Sequence, residues 1–84
     1  MTHEICNALV RLGIALQDTF DTLGSSQDGE RIIYWSEKEL MVNLTNFKIS
    51  FQNASLLTEA QFLMLKGIAS EMKGEMEHDF FEMP

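Results

Sequence analysis

Apolar residues recur at three- and four-residue steps along the opening segment. Ile5, Leu9, Leu12, Leu16, Phe20 and Leu23 fall on one helical stripe, which predicts a helix over residues 2–23. Thr2 is suited to cap its start, and Gly24 to take the left-handed position at its end. Val10 and Ile14 lie on roughly the opposite side from that stripe. They are free to meet a second layer of the same domain or another subunit.

The run Gly24-Ser25-Ser26-Gln27-Asp28-Gly29 is dense in turn formers and reads as a loop. The period then changes. Ile32-Ile33-Tyr34-Trp35 is β-branched and aromatic, so its side chains alternate and one of Tyr34 and Trp35 points outward. Leu40, Val42 and Leu44 alternate with polar or flexible neighbours, as do Phe47, Ile49 and Phe51. The parity switch at Thr45-Asn46 predicts a turn or bulge. A helix over 36–51 also fits in part: Ser36 with Glu39 forms a capping box, and Leu40, Leu44, Phe47 and Phe51 share a stripe. That reading strands Val42 and Ile49 on the wrong face, so strands are favoured.

Thr58 with Gln61 forms a second capping box and opens a predicted helix over 58–80. Phe62, Leu65, Ala69, Met72, Met76 and Phe80 make its apolar stripe. Along the border of that stripe, Glu71, Glu75 and Asp79 recur at every fourth residue, and Glu77 and Glu82 extend the acidic patch. Like charges at this spacing weaken a helix by a few tenths of a kcal/mol per pair. On a helix they would stand about 6 Å apart, close to the spacing of phosphates along a nucleic-acid strand. Gly67, Ser70 and Gly74 line up on a small-residue face of the same helix.

These elements predict an α+β fold of two layers within a single domain spanning 1–84. An N-terminal helix and a C-terminal helix pack on one face of a three-stranded antiparallel meander. An all-α three-helix bundle is the alternative. The sheet's other face would carry Met41, Asn43, Lys48 and Ser50, and its two edges would have only Lys38 and Lys48 as guards.

Charge changes the picture from fold to partner. Thirteen acidic residues against six basic ones give a net charge of −7 over 84 residues and a pI near 4.5. That balance disfavours free nucleic acid and anionic membranes and favours basic partners. Cys6, the one cysteine, excludes an internal disulfide and is expected to be buried and inert. The opening residues lack the pattern of a secretory leader, and no long apolar run occurs, so a cytoplasmic protein is expected. The sequons at Asn43 and Asn53 then carry no meaning.

Catalytic signatures are lacking: no nucleophile elbow, Walker-type loop or dinucleotide-binding glycine pattern occurs. Glu75-Met76-Glu77-His78 contains Glu-x-x-His, the spacing used in di-iron carboxylate bundles, but such sites need a second copy and two further glutamates. No metal, cofactor or enzymatic activity is therefore expected. The expected function is a small acidic binding protein that occludes a basic, nucleic-acid-binding surface of a partner protein or nucleoprotein complex. In size and charge it matches inhibitors of the anti-defence or immunity type, such as those of bacteriophages. The expected contact residues are Glu71, Glu75, Asp79 and Glu77, with Trp35, Met64 and Ile68 as apolar anchors. The alternative is an assembly subunit that dimerises through Val10 and Ile14 or through a strand edge.

Overall fold

In the computed structural model, which describes residues 3–78, the chain forms two helices and five strands. They are α1 (His3–Leu16), β1 (Thr22–Ser25), β2 (Arg31–Trp35), β3 (Leu40–Asn43), β4 (Lys48–Phe51), α2 (Glu59–Glu71) and β5 (Glu75–His78). The sheet order is β1-β2-β3-β4-β5. Strands β1 to β4 form an antiparallel meander, and β5 returns through α2 to lie parallel to β4. The expected α+β class is observed, and the all-helical alternative is excluded. The expected three strands are β2, β3 and β4; the sheet is larger by one strand at each edge, and mixed.

β5, and Thr22 and Leu23 of β1, come from residues expected to be helical, while Gly24 and Ser25 of β1 come from the expected loop. α1 ends at Leu16, where Gln17 takes the left-handed conformation with φ 58°. The Asp18 amide donates to the Gly13 carbonyl at 3.0 Å and the Gln17 amide to Ile14 at 3.3 Å, the paired bonds of a Schellman ending. Gly24, expected to hold that position, lies instead in β1. α2 ends in the same way. Lys73 has φ 57°, the Gly74 amide donates to Ala69 at 2.8 Å and the Lys73 amide to Ser70 at 3.1 Å. The expected helices over 2–23 and 58–80 are thus shorter, while Thr2 and the segment 79–84, with Asp79, Phe80 and Glu82, lie outside the described residues. The physical cause is local. A four-residue step, such as Met72 to Met76, keeps the same parity on a strand, so over a span as short as β5 periodicity alone cannot separate the two.

The start of α2 is as expected. Thr58 Oγ1 accepts from the Gln61 amide at 3.0 Å, and the Gln61 side chain accepts from the Thr58 amide at 3.0 Å. The turn between β3 and β4 is also built by side chains. Asn43 Oδ1 accepts from the amides of Thr45 and Asn46, and Asn46 Oδ1 accepts from Lys48. Asn53 Oδ1 likewise accepts from the Ser55 amide. Both sequon asparagines therefore close local turns.

Helices and sheet enclose one apolar core. Leu12 and Leu16 from α1, Leu65 and Ile68 from α2, and Ile33, Val42 and Ile49 from the sheet are all but fully buried. Each such side chain contributes about 1.5–3 kcal/mol of transfer free energy, against the entropy of ordering it. Cross-strand pairing puts Ile33 beside Val42 and Val42 beside Ile49 on the helix-covered face. The opposite parity carries Tyr34, Met41 and Ser50, paired in one row. Lys38 and Lys48 do not guard edges: Lys38 lies in a short 3-10 turn, and β4 is an inner strand.

The two α2-region glycines expected to share a small-residue face have unlike surroundings. A Cβ on Gly67 would meet open space, whereas one on Gly74 would drive into the Phe47 carbonyl. Gly67→Ala is therefore expected to stabilise the fold by about 1 kcal/mol, the helix-propensity difference. Gly74→Ala is expected to destabilise it by about 3 kcal/mol or more, because backbone must move. Chemical denaturation of the two variants, with midpoints shifting in opposite directions, checks this.

Candidate functional site

The helical row of acids does not exist as a row. Glu71 is the last residue of α2, Glu75 and Glu77 lie on β5, and Asp79 is outside the described residues. The 6 Å phosphate-like spacing is lost with the helix. Glu71 pairs with Arg11 of α1, and Glu77 pairs with Lys48 of the neighbouring strand at 2.7 Å. Glu75 and His78 sit on alternate faces of a strand, so the Glu-x-x-His spacing does not converge. His78 instead stacks on Phe51 with centroids 5.1 Å apart, and its Nε2 lies on the Gln52 carbonyl oxygen. Among the described residues, no group of three or more His, Cys, Asp or Glu side chains is placed to hold a metal ion.

Two of the expected apolar anchors face inward. Trp35 and Ile68 are each only 2 % exposed and belong to the core. The Trp35 indole N–H donates to the Asp18 carbonyl at 3.2 Å, and Phe20 packs edge-on against the ring at 6.1 Å. Tyr34 is half-buried on the open face of the sheet. Met64 does lie on the surface, as do Val10 and Ile14. Cys6, expected to be buried, is exposed.

Four of the exposed apolar groups, Val10, Ile14, Phe20 and Met64, line two hollows that share Ile14. Leu9, Val10, Gly13 and Ile14 of α1 form one wall of a groove of about 490 Å³, and Thr19, Phe20 and Trp35 form the other. Ile14 also lines a second hollow, with Met64 and Gly67, so the apolar surface continues across to α2. Val10 and Ile14 are 63 % and 65 % exposed.

The sheet explains why this side is bare. Leu23, Ile33, Val42, Ile49 and Met76 form one row across all five strands, on the face that the helices cover. α2 packs over β4 and β5 and against α1, which leaves the β1 end of the row overhanging. Ile33, Val42 and Ile49 are sealed, and Met76 is half-buried, yet Leu23 is 65 % exposed. Leu23 and Phe20 are the surface residues missed by the sequence reading, since a helical stripe placed both in the core. The pair of aspartates around Phe20, in Asp18-Thr19-Phe20-Asp21-Thr22, was the available signal that the helix had already ended.

Electrostatically the site is held by surface pairs. Arg11 lowers the Glu71 carboxyl below its ordinary value, first by a hydrogen bond and then by its charge. The Asp21 carboxyl is likewise held below its ordinary 3.8, chiefly by the Ser36 hydroxyl and then by the Ser36 amide. These bonds are 2.7 Å and 2.9 Å long. They tie the chain leaving α1 to the end of β2, where the groove lies.

No family model matches the chain, and no curated protein and no solved structure shows significant similarity to it. No helix among the described residues is long and apolar enough to cross a membrane.

The Asp21 tie has a definite pH signature. A carboxyl whose folded value is depressed adds stability above its unfolded value, and that stability is lost as pH falls through the folded value. Stability from this group therefore declines below about pH 3.8. Ser36→Ala is expected to raise the Asp21 value toward 3.8 and to remove this share of the acid sensitivity, as read by carboxyl carbon NMR through the titration. An Asp21 titration that stays where it was would show that Ser36 is not the cause.

Proposed function

We propose that the chain is a small, non-enzymatic binding protein that docks on a basic surface of a partner protein and occludes it. The observation that carries this reading is the gathering of the exposed Val10, Ile14 and Phe20 around one open groove, on a molecule of net charge −7. Contiguous exposed apolar surface adds nothing to a monomer's fold and is typical of interaction sites. Net negative charge steers association with Lys/Arg-rich surfaces, and the apolar contacts then set the dissociation rate. The groups with shifted titration fit a structural role, since Arg11, Asp21 and Glu71 are each engaged in a local pair.

The nucleic-acid-mimic form of this reading, an inhibitor of the anti-defence or immunity type, drew on the helical row of acids. With Glu71 and Glu75 on different elements, that form has no geometric support, so the partner is defined here only as basic protein. The apolar face of α1 takes over the anchoring role first given to Trp35 and Ile68.

A second reading is favoured by the same exposed groups. Val10 and Ile14, four residues apart on α1, form a ridge that could pack against a second copy. Copies that each carry seven negative charges repel, which weighs against it.

Affinity capture with the purified protein, from the lysate of its source cell, separates these readings. A basic protein is expected to be retained at low salt and released at high salt. The double variant Val10→Glu, Ile14→Glu is expected to bind at least about tenfold more weakly, a loss of about 1.4 kcal/mol. Capture indifferent to both salt and the double variant would overturn the reading. A homodimer in sedimentation that Val10→Glu alone dissolves would favour assembly instead.

A further inference from the structure

We propose that β1 is the docking edge of this protein, and that it accepts an extended, basic segment of the partner as a sixth strand. The inference rests on the binding function proposed above and names the surface and the partner's chemistry.

The backbone supplies the first part of the argument. In an antiparallel ladder, residues alternate between those bonded to the neighbour and those facing away. Residues 22, 24 and 26 of the first strand are in register with 34, 32 and 30, and the Ser26 amide donates to the Glu30 carbonyl at 2.9 Å. The amides and carbonyls of Leu23 and Ser25 therefore point away from β2, along the open edge. They are four groups ready to bond an added strand.

The two edges of the sheet differ in how they are defended. β5 presents Glu75 and Glu77, and Lys48 and Lys73 lie beside them. Mixed charge of this kind is the usual way to discourage pairing. β1 reads Thr-Leu-Gly-Ser, without a charge or a proline on the strand itself. The apolar groove is lined by Thr19 and Phe20, which lead into β1, and by Trp35 of the neighbouring β2, and Leu23 itself is 65 % exposed, so β1 also offers apolar surface.

Charge then selects the occupant. From Leu12 to Glu30 the chain has four acids, Asp18, Asp21, Asp28 and Glu30, and no Lys, Arg or His. Two of them precede β1 and two follow it. Asp21 is held by Ser36 and Thr22, and Asp18 accepts from the Thr19 amide, so these charges stay in place. Arg31, in register with Ser25, is the nearest cation in the ladder. A second copy is a poor fit. Antiparallel pairing about Gly24 would bring Asp21 of one copy beside the Gln27-Asp28 turn of the other. A segment with cations at both ends and small or β-branched residues between them fits instead. At about 3.3 Å per residue, its basic positions would lie about five residues apart.

The test uses the whole protein, labelled with nitrogen-15, and the peptide Lys-Lys-Thr-Val-Thr-Val-Lys-Lys. Expected on titration are shifts centred on Thr22 to Ser25, with at least tenfold slower hydrogen exchange at the Leu23 and Ser25 amides. Binding is expected to vanish in high salt, for the peptide with Glu in place of Lys, and for the peptide N-methylated at its four central residues. Ser25→Pro removes an outward amide without removing a bond to β2, and is expected to weaken binding at least tenfold. The proposal is overturned if the peptide binds with Leu23 and Ser25 exchange unchanged, if the acidic peptide binds as tightly, or if those amides become protected with rising protein concentration alone. Salt-sensitive capture of a basic protein that survives Ser25→Pro would sink strand addition and leave the binding function standing. Loss of all such capture in the wild-type protein would remove both.

Discussion

The contact on which the architecture turns is the approach of Gly74 to the backbone of Phe47. α2 must end, reverse and place β5 directly beside β4, and the crossing point is this spot, with no room for a Cβ. Both flanking residues sit in the left-handed region, Lys73 at φ 57° and Phe47 at φ 54°. For a bulky residue such as Phe47 this conformation is costly, of order 1–3 kcal/mol. Burial of its ring, 3 % exposed, offsets that cost. The same arrangement leaves Lys73 at the surface, its left-handed conformation fixed by the paired bonds of the helix ending. Sheet width, the parallel β4–β5 pair and the mixed-charge edge at β5 all follow from this junction.

A second consequence concerns coverage. α2 is held over β4 and β5 by that junction, and α1 packs alongside it, joined at the surface by Arg11 and Glu71. Two helices so placed seal the middle of the sheet, which is why Ile33, Val42 and Ile49 are dry. They do not reach the far strand. The groove beside Phe20 and Trp35 and the bare Leu23 are thus traced to one feature of the sheet. It is the uncovered margin of a five-stranded sheet under a two-helix layer.

The legible parts of the chain were those where a local rule acts alone. The Thr58/Gln61 capping box is made as written, and alternation through Ile33, Val42 and Ile49 gives the inner strands and their buried face. The outer strands were hidden because tertiary pairing overrode a plausible helical stripe. Met72 and Met76 are four apart and both half-buried, as on a helix, yet Met72 caps the end of α2 and Met76 lies on β5. Phe20 and Leu23 are three apart and both apolar, yet one packs on Trp35 and the other faces solvent. Helix ends at non-glycine residues, Gln17 and Lys73, withheld the usual stop signal. The helical geometry of the acidic row was lost with the helix that carried it, since the row needed helix beyond Glu71.

In the proposed function the two sheet edges take the place of the row of acids, and they do so unequally. An edge is a liability in a free protein, so a chain that charges one and leaves the other plain invites a reason for the difference. At β5 the glutamates lie next to lysines, and the local field is mixed. At β1 the strand is neutral, while the turns at its two ends are acidic without a balancing cation between Leu12 and Glu30. Such a margin repels its own copy by charge and still offers its backbone to a basic strand. On the proposed reading, the acidity of the protein keeps identical edges apart and admits a partner of opposite sign.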